Sequence, residues 1–237
     1  MIAAMMALEV AALRGYPACM ITDTDVPLAD LRPHLIAAML PNVPFDGWTP
    51  LARDTAADDL GIDRDIAAMA LPDAAAMADA FTARADTMMV DAMMAAGVAE
   101  MKVRDRIKLA LRTRLEQAGE DREAVRSALV VMLHPTNAAM AASTLWRTAD
   151  AMWRTAGDTA TDFNHYSKRT ILGGVYSATL LFWLDDDSDD HQATWAFIDR
   201  RIDGIMAFEK TKARLSGLVS KLPDPARFLG RLRYPAV

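Results

Sequence analysis

Cysteine is almost absent from this chain. Of 237 residues only Cys19 is one, which excludes an intramolecular disulfide and a cysteine zinc site and fits a reducing compartment. Histidine is scarce too. His34, His134, His165 and His191 form no His-x-x-x-His or Glu-x-x-His pair, so no metal is expected. Tyr166 and Lys168 have the wrong interval for a dehydrogenase pair, and no glycine-rich strand-turn-helix precedes them. No nucleophile stands with a base and an orienting group, so neither catalytic residues nor a cofactor are expected. No apolar run reaches the roughly 18–20 residues of a membrane span. Strand alternation, internal repeats and low-complexity linkers are also missing.

What remains is helix. Apolar residues make up 52% of the chain, enough for a substantial core, and sixteen methionines with much alanine favour helix over strand. "LADLRPHLIAAML" (28–40) precedes the turn "PNVPFDGWTP"; "LARDTAADDLG" (51–61) stops on Gly61 and "DRDIAAMALP" (63–72) before Pro72. Residues 73–97 read as one long helix, with Met69, Leu71, Met77 and Phe81 as packing residues. Val103, Ile107, Leu111 and Leu115 repeat every four residues, as do Val125, Leu129 and Leu133. Asn137 is placed to cap a helix running to about Ala156, and Asp162 the next. A final helix starts around Asp189, with Trp195, Ile198, Ile202, Ile205 and Met206 on one face. The fold class is all-α, with about nine to ten helices.

The first 27 residues lack the positive charge of a signal peptide and carry one arginine and no serine, unlike a transit peptide. They read as an extension of little structure, with a true start near Met20. Charge is unevenly spread. Residues 20–100 hold 14 acidic and 4 basic side chains, a balance of −10, whereas residues 101–237 hold 17 and 21, a balance of +4. The two ends predict different neighbours.

The front segments follow the layout of a TetR-type helix-turn-helix with its connecting helix. The chemistry for DNA does not follow. Duplex binding rests on Lys and Arg against phosphates, and "DRDIAAMALP" offers only Arg64 between Asp63 and Asp65. The helix-turn-helix is degenerate, and no nucleic acid is expected as partner.

"LFWLDDDSDDH" (181–191) contains Asp-Asp-x-x-Asp twice, the spacing with which prenyl synthases hold magnesium. A second aspartate motif is missing, so the stretch reads as a helix joint with Asp189 or Asp190 as the cap. Asp185 and Asp186 then sit at an unfavourable helix end and need compensation. Residues 145–183 gather most of the large aromatics. Trp146 and Trp153 lie seven apart, with Asp150 in reach of Arg147 and Arg154. The segment is either a packed core with salt-bridged flanks, or an apolar ligand cavity or partner patch.

The strings "NVPFDGWT", "VRDRIKLALRTRLE" and "LWRTADAMWRTAGDTATDFNHYSKRTILGGVYSATLLFWLDDDSDDHQATWAFIDRRID" closely resemble the ubiquinone-biosynthesis accessory family called Coq-nine, over roughly residues 30–212. The resemblance implies a TetR-like homodimer that binds isoprenoid lipid, has no catalysis of its own and presents ubiquinone precursors to the demethoxyubiquinone hydroxylase. It implies a partner-binding surface at Asp158, Thr161, Asp162, Phe163, Asn164, His165, Tyr166, Lys168 and Arg169. It implies a lipid cavity lined around Trp146, Trp153, Val175, Tyr176, Leu180 and Trp183. His165 departs from the family, which usually has tryptophan there, and an exposed tryptophan is a typical interface anchor.

The tail "LSGLVSKLPDPARFLGRLRYP" is basic and amphipathic. Lys221, Arg227, Phe228, Leu229, Arg231, Leu232 and Arg233 suit an anionic membrane surface; the other reading is a packing helix with a solvated basic face. The expected divisions are therefore 1–27 (extension), 28–72 (degenerate helix-turn-helix), 73–222 (lipid-binding and dimerisation) and 223–237 (tail). The function expected is that of a non-catalytic, quinone-binding accessory protein, at the inner membrane of a bacterial cytoplasm. A ligand-sensing TetR-like regulator would need a positive patch near residues 51–72, and a terpenoid enzyme a second aspartate motif; the sequence has neither.

Overall fold

The computed structural model describes residues 26–161 and 163–219, without the side chains of 163, 164 and 206–219. Among the described residues there are ten α-helices and no strand. They are α1 (Leu28–Met39), α2 (Val43–Asp46), α3 (Pro50–Leu60), α4 (Arg64–Ala70), α5 (Ala74–Ala95), α6 (Val103–Glu116), α7 (Arg122–Met132), α8 (Ala138–Thr155), α9 (Phe163–Leu184) and α10 (Gln192–Val219).

Local chemistry sets the boundaries at the front. Thr49 accepts a hydrogen bond from the backbone N–H of Ala52, and Pro50 opens α3 where a missing N–H costs nothing. Gly61, at φ 69°, closes that helix in the left-handed conformation. Asp63 accepts from the backbone of Asp65 and Ile66, and Asp73 from Ala76, so both following helices begin on a carboxylate. Leu71 is pulled out of helix by the proline after it.

The chain falls into two compact units, one ending at Tyr176 and the other beginning at Ser177 within α9. In the first, α5 is the central helix and packs against α1, α6, α7 and α8. Its buried Met77, Phe81, Met89 and Met93 make one face of the core. Trp48 packs on Phe81 with ring centroids 5.1 Å apart and donates its indole N–H to the carbonyl of Ala124. The basic residues of the helix-turn-helix region are engaged within it. Arg32 donates to the carbonyl of Ala70, Arg53 to that of Leu71, and Arg64 to Asp58. None of these bonds is replaced without cost by a phosphate contact.

Several expectations are corrected. Met69 points outward rather than into the core, since only seven residues of α4 form and its buried positions are Ala67 and Ala70. Leu133 is exposed because α7 ends at Met132, so the stripe Val125–Leu129 does not continue to it. Asn137 does not cap α8; it lies in a 3-10 turn and donates its amide N–H to the carbonyl of Val131. The last helix begins at Gln192, after a 3-10 turn at Asp189–His191. Residues 1–25, 162 and 220–237 lie outside the described residues, and with them the extension, Asp162 and the basic tail. Among the described residues no single helix is long and apolar enough to cross a membrane.

Candidate functional site

The segment joining α8 to α9 is fastened from below by ions. Arg169 is buried and donates to Asp150 at 2.5 Å, to Asp158 at 3.0 Å and to the carbonyl of His165. Asp158 also takes Lys168 at 2.6 Å, and the Lys168 ammonium lies 5.3 Å from the Trp153 ring centre. Burial pushes the Asp158 carboxyl up, but the hydrogen bonds from Lys168 and Arg169 outweigh it and hold the group below the ordinary carboxylate range. Asp158 and Arg169 were expected on a partner surface. Their side chains are 5% and 2% exposed, so they position that surface without forming it.

What they support is aromatic. Trp146, His165 and Tyr166 form a contiguous group, with ring centroids 5.9 Å apart for Trp146–Tyr166, 6.1 Å for Trp146–His165 and 5.1 Å for His165–Tyr166. Tyr166 is 60% and Trp146 36% exposed. Trp146, expected in a lipid cavity, is therefore part of the outer face here. Trp153 is half-buried and donates its indole N–H to the carbonyl of Lys168, which fastens α8 to α9. The His165 ring nitrogen Nδ1 lies 3.0 Å from the carbonyl of Ala160, which orients the ring. Thr161 is exposed beside it; Asp162 lies outside the described residues, as do the side chains of Phe163 and Asn164.

Two residues of this joint were not singled out from the sequence. Arg106 on α6 donates to the carbonyls of Ala99, Met101 and Ala156, with bonds of 2.7–2.8 Å. Gly157 follows at φ 88°, and a Cβ on it would stand 2.8 Å from Arg106 Nη1. Only glycine gives the arginine room and the backbone its turn. The "AGD" of the sequence hints at a helix stop, but nothing local points to an arginine fifty residues away.

The interior of the first unit holds a second ionic group, again unforeseen. Asp86 on α5 meets Arg114 of α6 at 3.3 Å and accepts from Thr148 of α8 at 2.9 Å. Burial raises the Asp86 carboxyl and is not fully offset by Arg114 and Thr148. Arg147 does not pair with Asp150 as its spacing suggested. It donates to Asp79 at 2.8 Å, and Asp79 also accepts from Thr144. Burial raises the Asp79 carboxyl, yet the bonds from Arg147 and Thr144 outweigh it and the net shift is downward. Val175 and Tyr176, expected to line the lipid cavity, are buried in this unit.

In the second unit Leu180 and Trp183 are buried. The acidic joint is organised by Asp186, not by Asp189 or Asp190. Its carboxylate accepts from the backbone and hydroxyl of Ser188 (2.9 and 2.6 Å) and of Thr194 (2.9 and 2.5 Å). Ser188 Oγ in turn accepts from the backbone of Ala193. Burial would raise Asp186, but these donors hold it well below the carboxylate range. The unfavourable helix end is thus compensated by four donors. Asp190 and His191 adopt φ of 51° and 54°, and the Trp195 indole donates to the carbonyl of Asp190. Among the described residues no three His, Cys, Asp or Glu side chains gather as a metal site.

Comparison with known proteins follows this geometry. Residues 138–209, which include the aromatic group and the acidic joint, match the family model described as COQ9. The rat "Ubiquinone biosynthesis protein COQ9, mitochondrial" is 32% identical over 183 residues, covering 74% of this chain and 59% of that protein. The human protein of the same name is 31% identical over 183 residues, with 74% and 58% covered. The Drosophila melanogaster one is 24% identical over 192 residues, with 79% and 59% covered. The chain thus spans somewhat under three-fifths of the length of these relatives, whose names designate no reaction. Among solved structures, a TetR transcriptional regulator from Nitrosomonas europaea matches with a TM-score of 0.59 at 19% identity, covering 73% of this chain and 97% of that one. That likeness concerns the fold, which is TetR-like. The expected bacterial cytoplasmic location is overturned, because the relatives are named as mitochondrial proteins.

Proposed function

We propose that this chain, whose residues 138–209 match the COQ9 family model and whose fold is TetR-like, serves ubiquinone biosynthesis as a non-catalytic lipid-binding protein. In this reading the apolar interior of the first unit, which holds Val175 and Tyr176, accepts an isoprenoid quinone intermediate. The aromatic group Trp146–His165–Tyr166 recruits the demethoxyubiquinone hydroxylase, and the basic residues of 221–233 dock on anionic membrane. The working form is a homodimer in the mitochondrion, the location in the relatives' names.

The observation that carries the proposal is the aromatic group itself. Three rings are held outward on a base of buried ion pairs, inside the region that matches the family. Ordered aromatic side chains with an apolar body and a polar edge are the usual anchors of a protein interface. The physical need for such a protein is plain: a polyprenyl chain of many buried CH₂ groups leaves the bilayer only into another apolar site.

Native mass spectrometry of the purified protein, with extraction of any bound lipid, tests the reading. Isoprenoid lipid is expected to co-purify. Protein that carries none and takes none from quinone-loaded liposomes would remove the proposal.

A further inference from the structure

Between Arg126 and Arg147 the chain runs for twenty residues, 127–146, without one charged side chain. The run covers the end of α7, the 3-10 turn at Pro135–Asn137 and the first half of α8. Its inner side is core, where Ala128 and Thr144 are buried. Its outer side is apolar as well. Val130 is 69% exposed, Leu133 75% and Met140 38%. One apolar side chain on a surface is ordinary, but three around one corner with no charge among them mark a contact. Val130 and Leu133 stand three apart at the end of α7 and share its side. Ala139, Ala142 and Trp146, all exposed, continue the outer stripe along α8 at spacings of three and four residues.

The turn at this corner keeps its polar groups to itself. His134 Nδ1 lies 2.8 Å from the Thr136 hydroxyl, and the Asn137 amide donates to the Val131 carbonyl at 2.8 Å. The backbone N–H groups of Leu133, His134 and Asn137 donate to the carbonyls of Leu129, Val131 and His134, and Pro135 has no N–H to satisfy. A turn in water needs no such closure; a turn set in hydrocarbon does. Charge points the same way. A protein partner brings a polar rim, whereas hydrocarbon excludes Asp, Lys and Arg and accepts an uncharged stretch. Arg126 and Arg147 close the run on either side, as headgroup-level cations do, with side chains 46% and 40% exposed. Arg126 lies 3.6 Å from Glu123 and Arg147 is bonded to Asp79, so charge attraction adds little and apolar contact carries the binding. The pair Arg122–Met132 and Pro135–Thr155 reaches the length and apolar composition of a membrane span, yet it is bent by 88°. The inner faces of both helices are packed in the first unit, so the corner alone is open to a lipid layer.

We infer that the α7–α8 corner, with Val130, Leu133 and Met140 at its tip, is a wedge that enters the hydrocarbon boundary of a lipid bilayer. With the start of α8 pointing into the lipid, Trp146 stands seven residues behind Ala139, roughly 10 Å along the helix axis. Interfacial helices sink by about 5–10 Å, so the indole comes to the headgroup level, where tryptophan is favoured. The wedge is a different site from the basic tail. It stands whether or not the protein holds an isoprenoid lipid.

The test is flotation of the full chain with neutral phosphatidylcholine vesicles at high salt, where attraction by basic residues is screened. Leu133→Asp and Val130→Asp each put a charge at the tip. Both side chains are exposed, so the thermal unfolding midpoint should not move. Each variant is expected to partition onto the vesicles about tenfold or more weakly than the wild type. Met69→Asp, at a side chain 60% exposed on α4, should float as the wild type does. Wild-type protein that does not float with neutral vesicles overturns the wedge, and so does flotation unchanged by both tip variants. Equal loss in Met69→Asp also overturns it, as an effect of added charge anywhere on the surface. Analytical ultracentrifugation without lipid gives the last outcome. A smaller assembly for Leu133→Asp than for the wild type overturns the wedge in favour of a second copy seated on the corner.

Discussion

Asp186 shows how much one carboxylate can do at a helix joint. Four donors from Ser188 and Thr194 converge on it, and a neutral amide in its place accepts far more weakly. Asp186→Asn is expected to cost about 1.5–3 kcal/mol at neutral pH, measured by urea unfolding. The sign of its pH dependence follows from the depressed pKa. The stabilisation is fully present above the ordinary value of roughly 4 and is lost as pH falls through the folded-state value. The gap between wild type and Asp186→Asn should therefore narrow on acidification below about pH 4. Gly157 sets a second constraint at this scale. Gly157→Ala forces a left-handed side chain against Arg106 and should destabilise by about 1–2 kcal/mol or more in the same measurement.

At the scale of elements, the α8–α9 joint separates support from contact. Asp158, Arg169 and Arg106 hold the joint, whereas Trp146 and Tyr166 face outward. If the proposed recruitment of the demethoxyubiquinone hydroxylase holds, Tyr166→Ala and Trp146→Ala should each weaken its capture by about tenfold or more, as loss of an interface anchor does. Because both side chains are at the surface, the unfolding midpoint should move little. Arg169→Ala makes the opposite contrast: it takes the buried guanidinium from Asp150 and Asp158, which keep Arg154 and Lys168, and should cost about 1.5–3 kcal/mol of stability before any partner is added. The α3–α4 pair carries the TetR layout with its arginines committed internally, and no salt-dependent shift of a DNA duplex is expected in a gel at low ionic strength.

For the whole molecule, lipid capture and membrane docking should be separable. Deleting residues 223–237 should reduce sedimentation with anionic liposomes, by about 1 kcal/mol for each basic residue that sat at the surface. On the proposed reading, lipid that co-purifies with the full chain should also co-purify with the truncated one, as read by mass spectrometry. Equal liposome binding by the truncated chain would refute the docking role.

Helix class, order and the front boundaries were legible in the sequence because their causes are local. The stops at Gly61 and before Pro72 act within one turn of where they stand, as do the caps Thr49, Asp63 and Asp73 that the structure added, and a 3.6-residue repeat needs no partner to be read. The family resemblance was legible too, in the string 145–203, which lies within the matched region. Tertiary structure alone decided the pairings. Arg106 reaches a carbonyl fifty positions away, Arg147 reaches Asp79 and not its neighbour Asp150, and Asp86, Arg114 and Thr148 meet from separate helices. The same packing turned Trp146 outward and Arg169 inward. A side chain's type says what bonds it can make, but only the folded chain decides which partner lies within three ångströms and whether water is left between them.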